Sequence, residues 1–265
     1  MLLFRLYCML LSLKKIDLFI LSIILISSLS VGCAGSTKAK KDKAEAMEDL
    51  GRSYVLQGNP RKGLSYLVQA AELDPNNPEI EHNLAVVYMD IEEYDLALRH
   101  FKKAISLKRN FPEAVNNMGI LYSRMKEWDK ALECFQQAVS DVLYTTPHFA
   151  YHNMGLVYSY KGDYAKAVEF YQKALKEDPS YVNVYYDLAA VYRVLNRNED
   201  AIRVYTKAAE LSPQSRIAEL SLAELYIEMD RTQEAADLLK TIIESDPRSQ
   251  AAEDADQLLE SINKK

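Results

Sequence analysis

The sequence predicts an all-α fold: a superhelix of six helix–turn–helix repeats closed by a C-terminal capping helix. Three observations carry that prediction. Tyr54, Tyr88, Tyr122, Tyr158, Tyr192 and Tyr226 recur at intervals of 34, 34, 36, 34 and 34 residues. A small residue stands three places before each: Gly51, Ala85, Gly119, Gly155, Ala189 and Ala223. Nine places after each tyrosine comes Gly63, Ala97, Ala131, Ala167, Ala201 or Ala235, followed four residues later by Leu67, Phe101, Phe135, Tyr171, Tyr205 or Leu239. A fixed period of this length marks one supersecondary unit that buries its apolar face only against its neighbours.

Taken in order, residues 1–32 are almost entirely apolar, with Arg5, Lys14, Lys15 and Asp17 as their charged residues. Lys14 and Lys15 precede the run Leu18 to Leu29, and Ser30, Val31 and Gly32 follow it, the order of an export signal. The apolar run is shorter than the ~20 residues that a membrane-spanning helix needs. Met9 is an alternative start that leaves a compact signal. The segment Leu29-Ser30-Val31-Gly32-Cys33 resembles a bacterial lipobox, with Ser30 where Leu is usual. That resemblance implies that Cys33 is diacylated and becomes the first residue. Ala34, where Asp marks inner-membrane retention, implies a protein anchored by lipid in the outer membrane and facing the periplasm. Residues 33–43 have no apolar periodicity and are expected to form a flexible tether.

Six repeats are expected over 44–77, 78–111, 112–147, 148–181, 182–215 and 216–249, with a capping helix and tail over 250–265. Leu50, Gly51 and Tyr54 fall on one helical face, as do Ala167, Tyr171 and Ala174 on the partner helix. Small residues let two antiparallel helices approach, and a ring fills the space beside them. Turns such as Lys161-Gly162-Asp163 link each pair, and Pro75, Pro179, Pro213 and Pro247 end the second helix. These landmarks match the tetratricopeptide (TPR) repeat pattern L-G-x₂-Y…A-x₃-F…P. Stacked TPR helices line a concave groove, which implies a peptide or protein partner.

Composition removes other classes. With 49% hydrophobic residues, 26% charged, 8 Gly and 8 Pro, the chain of 265 residues is not a disordered or collagenous one. A net charge of −6 with no basic stripe argues against nucleic acid. Cys8, Cys33 and Cys134 are too far apart for a metal or redox pair. His148 and His152 share a face at a spacing that suits zinc, yet no Glu completes an HExxH motif, so no metal site is expected. Cys134 is expected to be a structural thiol, and Trp128 to sit in a turn covering a repeat junction. No Gly-rich phosphate loop occurs. The chain is read as a non-enzymatic binder with no cofactor and no small-molecule substrate.

In the groove, the sixth position of successive repeats carries Asn83, Asn117, Asn153 and Asp187. An amide offers one acceptor and two donors, the inventory that grips an extended peptide backbone. The same residues also suit helix-to-helix contacts within the scaffold. Val86, Met89, Ile120, Phe149, Leu156, Tyr160, Tyr186, Val194 and Ile217 are expected to face the groove beside them, as a stripe for an amphipathic segment or as core.

Cys33, the repeats from Ala44, and a third repeat lengthened by two residues at 141–147 resemble the type IV pilus biogenesis lipoproteins of the PilF/PilW/Tgl type. There Asp141-Val-Leu-Tyr144-Thr-Thr-Pro147 leads into His148-Phe-Ala-Tyr-His-Asn153-Met-Gly155. The resemblance implies a pilotin that binds the secretin and promotes its multimer assembly in the outer membrane. A lipoprotein scaffold for peptidoglycan hydrolases or other envelope-assembly machinery has the same build.

Overall fold

The computed structural model describes residues 37–263. The expected export signal over 1–32, the alternative start at Met9 and the expected lipid site Cys33 lie outside the described residues. Among the described residues every regular element is a helix, and the chain divides into two compact units, up to Arg109 and from Asn110 onward.

The first unit holds α1 (residues 37–56), α2 (Pro60–Leu73), α3 (Pro78–Asp90) and α4 (Tyr94–Leu107). The second holds α5 (Pro112–Arg124), α6 (Trp128–Ser140), α7 (Pro147–Tyr160), α8 (Tyr164–Glu177) and α9 (Val182–Val194). It continues with α10 (Asn198–Leu211), α11 (Ile217–Glu228), α12 (Thr232–Ser245) and α13 (Gln250–Asn263). Short loops leave consecutive helices as antiparallel hairpins.

Part of the expected tether is helical. Residues 37–43 belong to α1 because Ala and Lys are strong helix formers, and the packed Ala44, 1% exposed, supplies a turn from which the helix extends backwards.

Each hairpin turn uses one device. The second turn residue is left-handed at Gly58, Glu92, Lys126, Gly162, Asn196 and Asp230. The amide of the residue that follows donates to the carbonyl of the repeat's tyrosine, at 2.9 Å from Asn59 to Tyr54 and 2.8 Å from Glu127 to Tyr122. Those are Schellman closures, which satisfy carbonyls that the helix end leaves unpaired. The tyrosine ring carries a second duty: Lys62 lies over Tyr54 at 4.0 Å, Arg197 over Tyr192 at 4.6 Å and Arg231 over Tyr226 at 4.5 Å. In the second repeat His100 stacks on Tyr88 instead. The periodic tyrosine therefore holds the turn through its backbone and a following cation through its face.

The core sits where the two helices of a hairpin cross. A Cβ on Gly119 would lie 2.6 Å from the Phe135 ring, and one on Gly155 would lie 2.4 Å from Tyr171. Both rings are buried, so glycine is required by the close approach. Leu67, Ile80 and Leu84 centre the core of the first unit; Tyr171, Leu188 and Leu225 centre the largest core of the second. Pro75, Pro179, Pro213 and Pro247 follow the C-caps of α2, α8, α10 and α12 and keep the residue before them out of the helical region, with ψ between 62° and 96°.

Candidate peptide-binding clefts

Within each unit, the fifth position of one repeat's first helix meets the sixth position of the next repeat's, and three such polar pairs form. In the first unit Asn83 Nδ2 donates to Glu48 Oε1 at 2.8 Å. In the second, Asn153 Nδ2 approaches Asn116 Oδ1 at 3.4 Å, and His152 Nε2 lies 2.6 Å from Asp187 Oδ2. Asn117 accepts from its neighbour Asn116 at 3.4 Å. Asn83, Asn153 and Asp187 of the sixth-position ladder thus make helix-to-helix contacts, while Asn117 bonds within its own helix. The fifth position supplies Glu48, Asn116 and His152; its residue type changes from repeat to repeat, so spacing singles out only His152, as one of a histidine pair. An offset of 35 or 37 residues between polar partners is the signal that reveals the position.

Beside these pairs lie clefts. In the first unit Arg52, Val55, Leu56, Asn83 and Val86 line one of about 160 Å³. In the second unit Ile120, Lys126, Trp128, Asn153, Leu156 and Tyr160 line one of about 570 Å³, floored by Phe135 and Val157. A further hollow of about 240 Å³ meets Leu156, Tyr160, Asp187 and Val194. The larger cleft is within the range that accepts large side chains of a partner.

One expected groove residue is placed in the core. Met89 is 5% exposed and is part of the core, because its position on α3 faces inward rather than into the groove. Tyr186 is half-buried and packs against the core of the second unit. Phe149 is exposed beside His148 and Tyr181, with ring centroids 4.2 and 5.3 Å away, and Ile217 is exposed at the start of α11. Trp128 is not in a turn: it is the first residue of α6, and it stacks on Tyr160 at 5.7 Å with 15° between the rings. Lys126 and Arg124 line the same cleft and were not singled out by periodicity, since they stand at a helix end and in a turn.

The electrostatics are those of a scaffold. Burial pushes the Cys134 thiol up to about 11, so it stays protonated and unreactive at neutral pH. Burial lowers the pKa of His82 to about 4, leaving it neutral. Burial raises the Glu48 carboxyl, partly offset by the Arg52 charge and, to a smaller extent, by the Asn83 hydrogen bond. His148 lies 3.8 Å from Asp178 while His152 takes Asp187, so the two imidazoles turn to different carboxylates.

Within each unit, stacked hairpins with clefts between successive first helices define a helical-repeat protein-interaction scaffold. Residues 44–77, 77–140, 111–176, 149–214 and 195–262 match tetratricopeptide repeat families, and the chain belongs to the tetratricopeptide repeat family. Among solved structures it is similar to Pseudomonas aeruginosa PilF, at 23% identity and a TM-score of 0.66 over 81% of this chain and 97% of that one. It is also similar to PilW, a widely conserved type IV pilus biogenesis factor, at 21% identity and a TM-score of 0.68 over 79% of this chain and 96% of that one. Identities of this size show a shared fold. Among curated proteins, 61 residues are 38% identical to the probable peptide N-acetylglucosaminyltransferase SPINDLY of Oryza sativa subsp. japonica. That match is 23% of this chain and spans 7% of the plant protein's length, which brings no catalytic apparatus with it.

Proposed function

We propose that the chain is a non-enzymatic TPR adaptor of type IV pilus biogenesis, and within that role a pilotin. It is anchored by an acylated Cys33 to the outer membrane, faces the periplasm, binds the secretin and promotes its assembly into multimers. The observation that carries the reading is the likeness to PilF and PilW, which extends over nearly the full length of both. The lipobox-like Leu29–Cys33 segment and the lengthened third repeat add to it.

The test compares heat-resistant secretin multimers in membranes of cells with the gene, without it, and with Cys33→Ala. The expected result is loss of multimers without the protein and reduced or mislocalised multimers with the variant. Equal multimers in all three would overturn the pilotin role and make an envelope-assembly or peptidoglycan-hydrolase scaffold the leading account.

A further inference from the structure

We infer that the cleft bounded by α5, α6 and α7 takes a partner segment in which a bulky apolar anchor stands next to acidic side chains. The inference rests on the adaptor reading and narrows it to one cleft and one chemistry.

Shape accounts for the anchor. Tyr160 is 74% exposed yet held flat against Trp128, while Ile120 and Leu156 face the same space. A large ring kept in water gains nothing for the fold, but two stacked rings beside aliphatic walls offer an apolar seat at little further cost in side-chain entropy. The volume of about 570 Å³ accommodates more than one large side chain, whereas the cleft of the first unit, at about 160 Å³, does not.

Charge accounts for the acidic neighbours. The charged residues lining the cleft are Arg124 and Lys126, both cationic, in a protein of net charge −6. The nearby cations are already paired, Lys161 with Asp129 at 2.8 Å and Lys130 with Glu127. Lys126 is exposed at the tip of the turn and has no ion-pair partner among the described residues. In the first unit, by contrast, the cleft's Arg52 faces Asp49 at 3.9 Å. A carboxylate arriving beside the apolar anchor meets Lys126, which no side chain among the described residues neutralises, so the cleft discriminates by charge as well as by shape.

Trp128 is the single tryptophan of the chain, so its emission reports this cleft directly. Two short synthetic peptides with the same Leu and Phe anchors, flanked by Asp and Glu in one and by Lys and Arg in the other, are titrated into the described repeats joined to their native N-terminal segment. The acidic peptide is expected to shift Trp128 emission and to bind at least about tenfold more tightly, a preference that shrinks as salt is added. Lys126→Glu is expected to reverse the preference, and Tyr160→Ala to weaken both peptides; both side chains are exposed, and an unchanged circular dichroism melt confirms that the fold is intact. A basic peptide that binds as well as the acidic one, or an emission that responds to neither, overturns the inference. Unchanged secretin multimers alongside a retained acidic preference would sink the pilus reading alone, since the fluorescence assay contains no secretin.

Discussion

The two units carry the same repeat, and at equivalent positions they differ most where the repeat has least to lose. At the start of α2 and the end of α3, Pro60 and Asp90 line a polar hollow of about 390 Å³. The same two positions in the second unit hold Trp128 and Tyr160, stacked over a cleft of about 570 Å³. Neither position reaches the crossing point of a hairpin, where Gly51 meets Leu67 and Gly119 meets Phe135. The core residues hold the period, while the hairpin ends are free to carry recognition. One scaffold therefore presents a small polar hollow in one unit and a wide aromatic cleft in the other without any change of fold.

Truncating the buried side chains beneath the first unit's cleft of about 160 Å³ and the second unit's cleft of about 570 Å³ gives the largest effect on the difference between the units. Phe135→Ala and Leu67→Ala remove side chains that are fully buried at the same repeat position. Unfolding in urea is expected to show losses of about 4 and about 3 kcal/mol respectively. Trp128 emission should move only in the first, whose cleft it lines; a matching shift in Leu67→Ala would break the assignment of Trp128 to the second cleft.

Next comes pH. His82, on α3, has a folded pKa of about 4, below the ordinary 6.5. The unfolded chain therefore takes up its proton first, and stability falls as pH drops from about 6.5 towards about 4. The loss approaches ~3 kcal/mol at the lower end. His82→Gln should flatten that part of the pH profile in thermal melts, and an unchanged slope would show that His82 is solvated in the native state.

A smaller effect separates two kinds of special backbone position. Gly119→Ala forces a Cβ onto the Phe135 ring and should cost about 2 kcal/mol. Glu92 is left-handed at φ 65°, so Glu92→Gly should instead stabilise by about 0.5 kcal/mol, because the relief of strain exceeds the added chain entropy. A destabilised Glu92→Gly would mean that the Glu92 side chain contributes more to the turn than its backbone costs.

Much of the fold was legible because the TPR repeat encodes itself locally. Gly119 with Phe135 and Gly155 with Tyr171 announce close crossings, and Pro179 announces a helix end. The site was less legible. Asn83 and Asn153 were recognised as a polar ladder, yet whether they grip a ligand or a neighbouring helix depends on Glu48 and Asn116, each a repeat away. Met89 reads like a groove residue and is buried, because a short rotation about the helix axis moves a side chain from cleft to core. The start of α1 was misread because Lys and Ala supply helix propensity without any apolar period to reveal it.

By itself, the sequence determined the all-α class, the period, the hairpins and the crossing residues, since each is a matter of spacing along one or two helices. Only the tertiary structure decided that Trp128 stacks on Tyr160, that Lys126 lines the same cleft, and that His152 is held by Asp187. Those relations join residues about one period apart, and their geometry follows from how one hairpin leans on the next, a rotation that no spacing within a single hairpin records.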